Sequence, residues 1–162
     1  MRGAYGSFHE FATGGQMLLW ASRHWMRAHR LDRPLPTCVW QSFAVADMTA
    51  GYCRLAELLS VLVFREFPAE TFASPSRSRL TRDETLFMEI LAALEADEPE
   101  RALRLLETRA APAIARTAVL HAAEVVSSLR QAGHRVTKPK QPLAWQVESL
   151  YSRMEISKPV LN

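Results

Sequence analysis

Apolar residues recur along this chain with the period of an α-helix. The clearest run is Leu86, Phe87, Ile90, Leu91 and Leu94, which falls at i, i+1, i+4, i+5 and i+8 on one helical face. A second stripe is Ile114, Ala115, Ala118, Ala122, Val125, Val126 and Leu129, and a third is Tyr52, Leu55, Ala56, Leu59, Leu62 and Val63. The third is widened by Leu58, Val61 and Phe64 beyond a single face. A helix apolar nearly all round lies at the centre of a core or at an interface between copies. Met17, Leu18, Leu19, Trp20, Trp25 and Met26 crowd the first segment, with Arg23, Arg27 and Arg30 read as its exposed side. Shorter sets are Val39, Trp40, Phe43 and Ala44, then Ala102, Leu103, Leu105 and Leu106. No strand is predicted.

Start and stop signals divide these stripes. Ser7 and Glu10 have capping-box spacing, and so do Thr81 and Glu84. The first helix is read from Phe8 to Arg30, continuous but weak at Gly14-Gly15, where the alternatives are a break or missing Cβ atoms that let another helix pack closely. Pro34 and Pro36 end it, and Thr37 is the cap of a second helix reaching Met48. Thr49-Ala50-Gly51 marks a turn before a helix to Glu66, and residues 67–80 read as a loop. Asp97 is assigned as the cap of a short helix with Pro99 in its first turn; Ala111-Pro112 opens the last long helix and Gly133 closes it. Lys138 to Pro142 then reads as a charged linker to a tethered amphipathic segment carrying Leu143, Trp145, Val147, Leu150, Tyr151 and Met154. The expectation is an all-α, single-domain bundle of five to six helices over residues 1–133, followed by a linker and amphipathic helical tail over 134–162.

Composition narrows the class without naming a function. With 162 residues, 48% of them hydrophobic and 23% charged, the chain can fold without metals or disulfides. Six glycines are too few for a turn-rich β fold. The N-terminal residues lack the apolar centre of a secretory signal, and the run from Leu58 to Phe64 is far short of a membrane span, so a cytoplasmic protein without membrane association is expected. Arginine outweighs lysine, as in bacteria of high genomic GC content. Cys38 and Cys53 sit in apolar helical stretches and read as buried thiols.

Candidate chemistry is sparse. His24 and His29 are five residues apart and point in different directions; His9, His121 and His134 stand alone in the sequence. With no HExxH and no CxxC, neither a metal nor another cofactor is expected. No GxSxG elbow or phosphate-binding glycine loop occurs. Glu10, Asp47 and Glu57 are the acids set in apolar stretches; Asp47 and Glu57 stand out, with Arg54 read as a structural ion-pair partner for one or the other. No catalytic residue is therefore assigned, and the protein is not read as an enzyme.

Two binding functions remain. The first is a non-enzymatic interaction or regulatory protein, self-associating as a homodimer or docking a protein partner, with Leu58, Val61, Phe64, Trp145, Leu150, Tyr151 and Met154 as the binding residues. The alternative is a nucleic-acid-binding helical protein. Its basic patches span Arg23 to Arg33 and Arg77 to Arg82, with Arg23, Arg27, Arg30, Arg77 and Arg79 as contacts. The net charge of +3 and pI near 9.2 permit this, although Arg27 and Arg30 also suit a helix C-terminus on dipole grounds alone.

Overall fold

The computed structural model describes residues 6–63 and 66–139. Among them are six α-helices: α1 (Thr13–Leu31), α2 (Thr37–Val45), α3 (Thr49–Leu62), α4 (Arg82–Glu95), α5 (Pro99–Glu107) and α6 (Pro112–Gln131). Single 3-10 turns occur at Phe8–Glu10 and Ala69–Thr71. Two isolated bridges, Ser7 with Arg79 and Phe11 with Thr137, are the β pairings among the described residues. The chain is all-α, as its periodicity predicts. No helix among the described residues is long and apolar enough to cross a membrane.

The core is organised around α3 and α6. A Cβ on Gly51 would stand 3.2 Å from the Ser128 Cβ, so this glycine serves close helix approach inside α3 and not a turn before it. α3 also packs on α1 and α2. Three neighbours explain its wide apolar girth: Leu55, Leu58, Leu59 and Leu62 are all buried within the chain. Leu58, expected at a partner surface, is 1% exposed and belongs to the core, while Val61 is partly buried against it. Phe64, Trp145, Leu150, Tyr151 and Met154 lie outside the described residues.

The N-terminal segment departs from the predicted continuous helix. Ser7 caps only one 3-10 turn, and the Glu10 carboxylate accepts from the Gly6 N–H at 3.1 Å. The chain is extended at Phe11 and Ala12, and α1 starts at Thr13. The cause lies in the glycine pair. Ala12 N donates to Val136 O at 3.1 Å and Gly15 N to Arg135 O at 3.0 Å. A Cβ on Gly14 would sit 2.6 Å from the Arg135 carbonyl oxygen, and one on Gly15 would be closer still to that of Val136. The glycines admit the non-helical backbone of Arg135 and Val136, not another helix. Val136 is fully buried, and Glu95 at the end of α4 accepts from Val136 N (2.6 Å) and Thr137 N (3.0 Å). Residues 134–137, grouped with the tail on sequence grounds, thus pack into the bundle. Gly133 takes φ +79° in the left-handed turn that redirects them.

Polar residues at the helix ends also differ in role. Asp97 adopts φ +58° after α4, and Glu98, not Asp97, stands at the N-cap of α5. Asp47 is exposed with φ +56° between α2 and α3, so it is not a buried acid. Glu57 does pair with Arg54, at 2.8 Å, but on the surface. Cys38 and Cys53 are free and exposed, not buried, because each falls on the outer side of its helix.

Candidate functional site

The 72–81 loop is built onto α1 by one buried ion pair. Thr81 caps α4: its hydroxyl accepts from Glu84 N at 3.2 Å, and the Glu84 carboxylate accepts from Thr81 N at 2.9 Å. The same carboxylate accepts from Ala73 N (2.9 Å), Arg23 Nε (2.7 Å) and Arg23 Nη2 (3.0 Å). Arg23 and Glu84 are both 0% exposed. The rest of the Arg23 guanidinium donates to the backbone carbonyls of Arg77 and, at 3.2 Å, Arg79. The N-terminal segment holds the loop from its other side, through Phe8 N to Ser78 O (2.7 Å) and Leu80 N to Gly6 O (3.2 Å). A stretch that reads as a free connector is therefore pinned along its length.

This pinning creates a cleft of about 550 Å³ between α1 and the loop. Arg27 and Arg30 reach it from α1, Arg77 from the loop, and Ser74 and Thr81 add hydroxyl groups. Among the described residues, Glu70 is the one acidic side chain on its wall besides the paired interior. A second hollow of about 220 Å³ shares Arg27 and Leu31 with the first and continues it past His24 to Arg33. Burial and then the Arg27 charge lower the His24 pKa below its ordinary 6.5, so this imidazole is neutral at pH 7. The positive charge of the groove comes from arginines, which stay charged and offer forked donors suited to phosphate or carboxylate oxygens.

Of the five arginines named from the sequence, Arg27, Arg30 and Arg77 meet on this groove, and Arg79 is exposed on the adjoining loop. Arg23 does not belong to that surface. Its guanidinium makes four hydrogen bonds inside, because its position on α1 faces Glu84 and not solvent. The significant buried acid is accordingly Glu84, which the sequence marks only as a capping residue. A surface cluster was also hidden: Glu57 on α3 meets His121 and Glu124 on α6. Comparison of histidines with one another passes over His121; its i, i+3 spacing from Glu124 is the signal that finds half of the cluster.

Comparison with known proteins finds no match: no family model, no curated protein and no solved structure is similar to the chain.

Proposed function

We propose that the protein is a non-enzymatic nucleic-acid-binding module that grips backbone phosphates in the groove formed by Arg27, Arg30, Arg33 and Arg77. One observation carries the reading. Basic residues about fifty positions apart in sequence converge on one groove, on a loop held in place by Arg23 and Glu84. A merely solvated basic surface does not require such convergence. Phosphate contacts of this kind supply affinity without base specificity. The proposed setting is the cytoplasm, where the exposed thiols of Cys38 and Cys53 stay reduced.

A salt titration with labelled single-stranded and duplex oligonucleotides tests this. Three to four phosphate contacts give a slope of log K against log salt of roughly −2 to −3 for single strands and roughly −3 to −4 for duplex. The Arg27→Ala/Arg30→Ala/Arg77→Ala variant should bind at least tenfold more weakly with a flatter slope. A wild-type chain with no affinity at 50 mM salt, or a triple variant that binds as the parent does, removes the reading.

A second reading, docking of a protein partner or of a second copy, is favoured by α2. That helix has no charged side chain, and it exposes Trp40 (42%) and Val45 (89%). Light scattering across a concentration series, with Trp40→Glu as the comparison, separates the two functions.

A further inference from the structure

We infer that Glu57, His121 and Glu124 form a surface site for a divalent transition-metal ion, with zinc as the best chemical match. Glu57 stands on α3; His121 and Glu124 stand one turn apart on α6, where they share a face. One ligand atom from each lies within 4.8 Å of the other two. Glu57 Oε2 and His121 Nδ1 are 3.4 Å apart, which is long for a charge-assisted hydrogen bond. It is the separation of two donors that each stand about 2.1 Å from zinc and subtend a tetrahedral angle, roughly 3.4 Å. An imidazole with two carboxylates suits zinc and its transition-metal neighbours, whereas calcium and magnesium prefer oxygen alone. Three protein ligands leave a fourth position for water.

A cationic side chain already bridges the two carboxylates. Arg54 donates from Nη1 to Glu57 Oε2 at 2.8 Å, and its Nε lies 2.9 Å from Glu124 Oε2. One guanidinium serves two carboxylates. Arg54, Glu57 and Glu124 are all about half exposed, and ion pairs in such surroundings are weak. A divalent ion offers each carboxylate more, and the arginine is free to swing into solvent. Arg54 is thus a competitor of the metal, and its removal is the variant whose effect distinguishes a metal site from a surface ion-pair network.

The experiment is calorimetric titration of zinc chloride into the full chain in a non-coordinating buffer. Cys38→Ser and Cys53→Ser are present throughout, because exposed thiols bind zinc themselves. The expected result is one zinc per chain, weakened at least tenfold by His121→Ala and by Glu124→Gln and tightened severalfold by Arg54→Ala. Circular dichroism checks that each variant keeps its helices. Three outcomes overturn the assignment: no zinc binding up to millimolar concentration, undiminished binding by His121→Ala, or weaker binding by Arg54→Ala.

Discussion

Arg23 and Glu84 meet inside the protein in a two-pronged contact, Nε to Oε1 at 2.7 Å and Nη2 to Oε2 at 3.0 Å, with neither side chain exposed. The pair joins α1 to the start of α4 and carries the intervening loop with it. Removing one member of a buried pair strands the other, at about 3–5 kcal/mol. The two losses are unequal here. Without Arg23, Glu84 still accepts from Ala73 N and Thr81 N, and the Arg77 and Arg79 carbonyls lose a donor. Without Glu84, Arg23 keeps those two carbonyls, but two backbone N–H groups lose their acceptor and the α4 cap is broken. An orphaned N–H is tolerated less than an under-satisfied carbonyl. Glu84→Ala should therefore cost more than Arg23→Ala in urea unfolding. The reverse order, or a loss under about 1 kcal/mol for either, contradicts this account.

Gly15→Ala tests the docking of residues 134–137. On helix propensity alone alanine gains about 1 kcal/mol. The new methyl group, however, runs into the Val136 carbonyl and stands 3.0 Å from the Phe11 Cβ. Overpacking of this kind costs about 1–3 kcal/mol, so the net effect should be destabilising. Amide exchange at Ala12 and Val136 should accelerate. A variant more stable than its parent shows that the segment is not held there.

Asp83 gives stability a dependence on acid. Burial acts to raise its pKa, but hydrogen bonds from Arg109 and Thr71, with the charges of Arg109 and Arg82, outweigh this and lower it from the ordinary value. Arg109 lies 2.6 Å away. Because the folded pKa is the lower one, the unfolded chain binds more protons in acid. The contribution is complete above the unfolded pKa of about 3.9 and is lost as pH falls through the folded value. The partly exposed Arg109 holds the effect to about 1 kcal/mol. Subtracting the stability curve of Asp83→Asn from that of the parent between pH 2 and 7 should isolate it; a difference that does not vary with pH counts against the pair.

Both thiols should react with a disulfide reagent in the native protein, at two equivalents per chain without denaturant, because Cys38 and Cys53 are exposed. Reaction that waits for unfolding places them in the interior.

Much of the fold is legible in local pattern. Phe87, Ile90, Leu91 and Leu94 are buried where the period of α4 requires, and Thr81 and Glu84 form the capping box that their spacing announces. Pro99 and Pro112 stand in the first turns of α5 and α6, and Gly133 closes the last helix. These features depend on residues within one or two helical turns of each other. The groove was half legible: the arginines are evident as two clusters, but their meeting depends on Arg23, which pattern assigns to the outside.

Periodicity and capping residues determined that this chain forms helices, where most of them begin, and which face of each is oily. Tertiary structure alone decided that Gly14 and Gly15 receive the backbone of Arg135 and Val136, that Leu58 is core, that Arg23 is buried on Glu84, and that Glu57 finds His121 and Glu124. The division follows from distance along the chain. Helical hydrogen bonds and caps link neighbours, so the local order of residues specifies them. A buried charge or a shared ligand cluster needs partners tens of residues away, and only the packing of whole helices brings those within reach.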